Sequence, residues 1–150
     1  MKFADRIVPV PQRVTQHRGE DIRLGAFGRA WYKLETGNIT GQLAEKAVKR
    51  LGNMLETLLE KRPTNSQRSF LFKVSLAPAP ADMPNADQGY RLHVEKGTAE
   101  LTGYGEAGLY YAVTTLFQLL ERREDMFYLP PITVEDWPTL NYLLSNSLQN

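Results

Sequence analysis

Residues 103–121 read GYGEAGLYYAVTTLFQLLE. Gly103, Gly105 and Gly108 spell G-x-G-x-x-G, the pattern that opens the helix of a dinucleotide-binding unit, where backbone amides hold a pyrophosphate. The same glycines can instead bend a strand sharply into a helix and let that helix approach a neighbouring strand with no Cβ between them. The first reading demands a parallel sheet; the second admits an antiparallel one.

The flanks separate the two. The opening strand of a dinucleotide unit is buried on both faces and reads as a continuous apolar run. Here the preceding segment is KGTAELT, residues 96–102, which alternates. It is the second arm of a hairpin: Tyr90, Leu92 and Val94 alternate with Arg91, His93 and Glu95, Lys96-Gly97 forms the turn, and Ala99 and Leu101 resume the pattern. The acidic residue expected about 20 positions beyond the glycines is approached only by Glu135, behind the Pro130-Pro131 interruption. The helix, expected over 105–122, carries Leu109, Tyr110, Val113, Leu116, Phe117 and Leu120, so it is apolar nearly all round and must be covered on both sides. The glycines therefore read as packing devices.

Upstream, residues 40–61 place Leu43, Ala47, Leu51, Leu55 and Leu58 at helical spacing, with Asn38 or Thr40 as the cap and Pro63 as the stop. Charges at Glu45, Lys46, Lys49, Glu56 and Glu60 solvate the other face. SFLFKVSL, 69–76, alternates as a strand. AFGRAWYK, 26–33, suits another strand, and QRVTQH with EDIRL around Arg18-Gly19 suits a short hairpin. Met126–Leu129 and Ile132–Val134 read as one last strand about Pro130-Pro131. APAPADMPNADQ, 77–88, is a long proline-rich connection, a surface excursion or contact loop. The expected fold is α+β, a mostly antiparallel sheet with two main helices packed on one face.

Composition narrows the function. The 150 residues are enough for one domain with a real core. A net charge of +1 gives no electrostatic footprint for nucleic acid or an anionic membrane. With no cysteine there is no disulfide, thiolate metal site or cysteine nucleophile. MKFADRIVPVPQRV has no apolar signal core, so a cytoplasmic location is expected if this is the native N-terminus, and the location is otherwise open. Glu135-Asp136 invites a carboxylate-pair reading, but neighbours on a strand point to opposite faces. His17 and His93 are far apart in sequence, with no acidic ligand at metal spacing, and read as solvated strand residues. Phe27, Trp31, Tyr32, Tyr110 and Tyr111 read as core or interface aromatics before sugar-stacking ones.

The stretch YRLHVEKGTAELTGYGEAGLYYAVTTLFQLLE resembles the small N-terminal α+β domain of glycoside hydrolase family 20, the β-N-acetylhexosaminidases. Gly108, Tyr111, Ala112, Thr115, Leu116, Gln118 and Leu119 match that family's helix pattern, Leu129-Pro130 and Asp136-Trp137-Pro138 match its closing D-x-P strand, and the PVPQ at Pro9–Gln12 is similar to its opening. The similarity runs from about Pro9 to Tyr142 and is strongest over Gly89–Pro138; related domains precede hyaluronidase-like, O-GlcNAc-removing and α-glucuronidase barrels. The resemblance implies substrate-assisted hydrolysis in a parent enzyme, with the catalytic Asp-Glu pair inside a (β/α)8 barrel. The Arg-Gly that leads into that barrel is missing after Tyr142, and 150 residues leave no room for a barrel of about 250.

The resemblance thus implies a non-catalytic domain over 1–142 with a tail or truncated linker at 143–150. It would support a catalytic barrel absent from the chain, be no enzyme alone, and have an apolar patch that could drive self-association. Asp136, Trp137, Pro138 and Tyr142 are the candidate barrel-interface residues; no catalytic, cofactor-binding or metal residue is assigned, and neither nucleic acid nor membrane is expected as a partner. The alternative is a stand-alone carbohydrate-binding or protein-interaction module built on the 77–88 loop and Trp137.

Overall fold

The computed structural model describes residues 11–26, 32–58, 70–124 and 126–137. In chain order these form β1 (Arg13–Gln16), β2 (Ile22–Ala26), β3 (Tyr32–Thr36), α1 (Gln42–Leu58), β4 (Phe70–Leu76), a 3-10 turn (Ala86–Gln88), β5 (Tyr90–Glu95), β6 (Thr98–Gly103), α2 (Glu106–Leu119), β7 (Glu121–Arg123), β8 (Met126–Leu129) and β9 (Ile132–Asp136). The main sheet has the order β1-β9-β5-β6-β4-β3, and a second small sheet has the order β2-β8-β7.

Pairing is antiparallel from β1 through β9 and β5 to β6, and parallel from β6 through β4 to β3. The parallel pair β3–β4 follows from the connection through α1, since parallel neighbours need a long crossover. The fold is α+β, as expected, with antiparallel pairs in the majority. The hairpin 90–103 forms as read, with Gly97 at φ +86° in its turn.

One face of the main sheet is apolar. Phe72 pairs with Ala99 and Val74 with Leu101; Leu101 faces Leu92, which faces Val134, and all are buried. The intervening residues, among them Lys73, Glu100, Arg91 and Glu135, stand on the opposite face. Helix α1 adds Ala44, Ala47, Leu51 and Leu55 to the core, and α2 adds Leu109, Ala112, Val113, Leu116 and Leu119. Burying a side chain of the size of Leu or Val contributes about 1.5–3 kcal/mol, so this double layer is the main source of stability.

The two helices start at the same end of the sheet and join through one carboxylate. Glu106, in the first turn of α2, accepts through Oε1 from the backbone N–H groups of Leu43 (3.1 Å) and Ala44 (3.3 Å). The first turn of α1 thus finds its acceptor on the neighbouring helix rather than on Asn38 or Thr40. Gly41, at φ +99°, leaves room for it, since a Cβ there would lie 1.8 Å from Glu106 Oε1. Further along, Arg50 donates to Thr114 Oγ1 at 2.7 Å and lies 5.0 Å from the centre of the Tyr110 ring.

Three expectations are corrected. QRVTQH and EDIRL do not pair as a hairpin: β1 pairs with β9 in the main sheet, and β2 with β8 in the small one. The 126–134 segment is two strands, and the chain changes sheets at Pro130-Pro131 as it does at 17–21. The two corners are tied together, His17 N–H donating to Pro131 C=O at 2.8 Å. Helix α2 ends at Leu119, with Leu120 extended, and Glu121–Arg123 forms β7 against β8, because the pairing overrides the helical preference of Glu and Arg. The strand expected over 26–33 appears in part: Ala26 closes β2 and Tyr32 opens β3, while 27–31, with Phe27 and Trp31, lie outside the described residues.

Removing the shared carboxylate is expected to loosen both helix starts. Glu106→Ala should lose about 1–2 kcal/mol of stability in urea unfolding, and Glu106→Gln, which keeps an acceptor oxygen, should lose less. Equal midpoints for all three proteins would show that the bridge contributes nothing.

Candidate functional site

The G-x-G-x-x-G segment sits where β6 turns into α2, and each glycine answers a close approach. A Cβ on Gly103 would lie 2.6 Å from Leu109 Cβ, one on Gly105 2.3 Å from the Asp87 carbonyl oxygen, and one on Gly108 1.8 Å from the Gly89 carbonyl oxygen. Gly105 is extended (φ −171°, ψ 174°), a backbone any residue adopts, so space and not conformation demands the glycine there. The end of the 77–88 connection and Gly89 after it are the partners of Gly105 and Gly108: the 3-10 turn lies against the start of α2, and Tyr104 N–H donates to Gly89 C=O at 2.9 Å.

A groove of about 440 Å3 does open at the two helix N-termini, lined by Thr40, Gly41, Pro78, Tyr104, Gly105 and Glu106 among others. Glu106 brings its own negative charge to the place where a phosphate would have to sit, and its oxygen already serves the α1 amides. Like charges repel at such a position, so the glycine pattern is accounted for by packing.

The closing strand carries the expected interface residues. Asp136 Oδ1 accepts from Gln12 N–H and from Trp137 N–H, both at 3.0 Å. Burial pushes the Asp136 carboxyl above the usual aspartate range, against the opposing pull of the two backbone N–H bonds. Trp137 has the Arg13 guanidinium 5.7 Å from its ring centre, and its carbonyl oxygen lies 3.4 Å from Gln12 Nε2. Thus the PVPQ segment, through Gln12, meets the D-W pair, 124 residues apart in sequence. Pro138 and Tyr142 lie outside the described residues.

Glu135 faces the other way. It stands on the charged side of the sheet, 3.8 Å from Arg13 Nη1 and 4.0 Å from Arg91 Nε. Tyr104, which the sequence reading passed over, has its phenol pushed up by burial and by the Glu135 charge, partly offset by Arg91.

His17, exposed beyond β1, and His93, partly exposed on β5, are far apart in sequence but meet in the fold: His17 Nε2 lies 2.6 Å and His93 Nδ1 2.7 Å from the hydroxyl of Thr133, with ring centres 5.6 Å apart. Strand β9, between β1 and β5, brings them together. Only the strand order could have revealed this, and no local pattern encodes it. Among the described residues no group of three His, Cys, Asp or Glu side chains could hold a metal ion.

Two helices layered on one face of a mixed six-stranded sheet, with the opening segment clasped to the closing strand, define an α+β domain. The family described as glycosyl hydrolase family 20, domain 2, matches residues 4–137, and the chain belongs to it. The fold is similar to that of the Flavobacterium johnsoniae chitobiase (TM-score 0.67, 18% identity, 92% of this chain and 22% of that one). It is also similar to the family 20 β-N-acetylhexosaminidase of Streptomyces coelicolor (TM-score 0.62, 21% identity, 92% and 27%) and to the exo β-N-acetylglucosaminidase of Vibrio harveyi (TM-score 0.63, 16% identity, 90% and 19%). The chain spans between 19% and 27% of the length of these structures. No curated protein matches it.

Two outcomes test this geometry. Gly108→Ala should lose about 3 kcal/mol or more, because the opposing atom is backbone. Gly52→Ala in α1, whose Cβ would meet only Leu34 Cδ2 at 3.7 Å, should gain about 0.5–1 kcal/mol. Urea unfolding of both variants should therefore show opposite signs for one chemical change. Asp136→Asn keeps an acceptor for Gln12 and Trp137 but removes the charge. Since the folded carboxyl titrates above its ordinary 3.8, wild-type stability contributed by this group is full below that pH and is lost as pH rises through the folded value. The Asn variant should thus be at least as stable as wild type at neutral pH, with the difference shrinking toward 3.8. A difference that grows in acid would contradict the assignment.

Proposed function

We propose that this chain is the non-catalytic N-terminal domain of a β-N-acetylhexosaminidase-like glycoside hydrolase, and that it packs against and supports a (β/α)8 catalytic barrel. Family membership and the shared fold support the enzyme class. The supporting role rests on one observation, the outward side of α2. Ala107, Tyr110, Tyr111, Thr114, Phe117 and Gln118 form the arc opposite its buried residues; each is half-buried, and none is charged. The outer side of α1, by contrast, exposes Glu45, Lys46, Lys49 and Glu56. A helix that lies in water on one side carries charge there, so the α2 arc is suited to a covering partner. The opposite face of the main sheet carries Arg13, Lys73, Arg91 and Glu135 and is suited to water. On this reading the domain extends over 1–142, residues 143–150 lead toward the barrel, and Asp136, Trp137, Pro138 and Tyr142 lie at the junction. A contact of this kind buries roughly 600–1,500 Å2.

The chain alone should not hydrolyse aryl N-acetyl-glucosaminides, and turnover by the pure protein would overturn the proposal. In sedimentation velocity it should self-associate with rising concentration, and Phe117→Lys should weaken that association. Association unchanged by Phe117→Lys would remove the role given to the α2 arc. Chitobiose titrated against tryptophan fluorescence should give no saturation; saturable binding at millimolar sugar or below would favour a stand-alone carbohydrate-binding module instead.

A further inference from the structure

The cluster at Thr133 has no part in the packing role. It stands where the chain changes sheets. His17 opens the corner between β1 and β2, and its N–H is bonded to Pro131 at the corner between β8 and β9. Thr133, buried on β9, holds both rings through one hydroxyl, with His17 Nε2 at 2.6 Å and His93 Nδ1 at 2.7 Å. A hydroxyl has one proton, so it donates to one imidazole and accepts from the other, and one of the two facing nitrogens must be bare. Glu95 Oε2, 3.5 Å from His93 Nε2, favours the N–H at that nitrogen. His93 Nδ1 is then the bare nitrogen and His17 Nε2–H the donor, a tautomer assignment made from the network.

Proton counting sets a limit on this bridge. A first proton enters at His17 Nδ1 with both hydrogen bonds intact. A second has to enter at His93 Nδ1. Both rings then offer N–H to the same oxygen, and the Thr133 proton is turned out to water or to Thr15 beside it. Two cations also face each other with ring centres 5.6 Å apart. The other charges on this side are largely matched. Glu135 on β9 lies between Arg13 of β1 and Arg91 of β5, and Asp21 of the corner is bonded to Arg123 of β7. Glu100, opposite His93 on β6, is in register with Lys73 of β4. Arg18, Glu20, Arg23 and Lys96 are exposed, where salt screens them. Glu95, in contact with His93, favours one imidazolium and does not offset two.

We infer that the His17–Thr133–His93 bridge is a proton-sensitive latch between the two sheets, closed with one imidazolium or none and opened by a second proton. The open corner binds one proton more than the closed one, so the latch holds at neutral pH and is lost as pH falls through the second step. The 17–24 segment is one wall of a groove of about 850 Å3. Its release uncovers Leu24 and Phe70, which are buried while the latch is closed.

The composition makes the test clean, since the chain has two histidines. Imidazole resonances of the untagged chain are followed by nuclear magnetic resonance from about pH 8 to about pH 4, across the histidine range. The second proton should bind at least about tenfold more weakly than the first. Hydrogen-exchange protection of the His17 N–H should be lost with the second step and not with the first. Thr133→Val, which keeps the shape and removes the hydroxyl, should bring the two steps closer and leave that protection independent of the imidazole charges. Thr133→Ser should restore the wild-type behaviour. His93→Gln should leave His17 titrating in one step, with its N–H still protected in acid. Circular dichroism of each variant separates loss of the latch from loss of the fold. The proposal is overturned by two rings that take up protons together in the wild type, by protection that is unchanged through the second step, or by acid loss of protection that persists in folded Thr133→Val or His93→Gln protein.

Discussion

The start of α2 lies against the backbone of Asp87–Gly89 with no room for a single added carbon. That contact sets the depth at which the most apolar helix of the chain sits on the sheet. It requires glycine at 105 and 108, and with Gly103 against Leu109 it allows the turn from β6 into the helix. It also turns the proline-rich 77–88 connection into a brace for the α2 N-terminus. Glu106 can then reach α1, so both helix starts are held at one end of the sheet.

The two layers give the domain unlike sides. The sheet ends in charge on one side, with Glu135 between Arg13 and Arg91. The helix layer ends in the charged outer side of α1 and the uncharged outer arc of α2. Surface ion pairs contribute little to stability, so the charged side serves chiefly to keep that face in water and to oppose edge-on or face-on association. The Asp136 clasp lies at the end of the sheet where β9 finishes, close to the helix starts, and it joins the first and last described segments. Whatever follows Trp137 therefore leaves from a point tied to residue 12.

Local pattern carried much of this into view. The alternation of 90–101 and the Lys96-Gly97 turn located the hairpin, because a half-buried antiparallel pair imposes a period of two. The spacing of Leu43, Ala47, Leu51 and Leu55 located α1 for the corresponding helical reason. Where the reading failed, the deciding partner was remote. Glu121-Arg122-Arg123 has helical preference and becomes a strand because β8 offers a ladder. The Arg18-Gly19 and Pro130-Pro131 turns look like a hairpin and an interrupted strand, yet each moves the chain from one sheet to the other. The cap of α1 comes from 62 residues away, and the two histidines meet only because β9 runs between their strands.

By itself, the sequence determined the α+β class, the two helices, the central hairpin, and the use of the three glycines for space, because these depend on side-chain period and on the context of a few neighbouring residues. Tertiary structure alone decided the strand order, the parallel pairing of β3, β4 and β6, the bridge from Glu106 to α1, and the convergence of His17 and His93 on Thr133. Those features depend on which strands lie side by side, and strand adjacency is set by burial of the whole apolar face at once, not by any one segment of it.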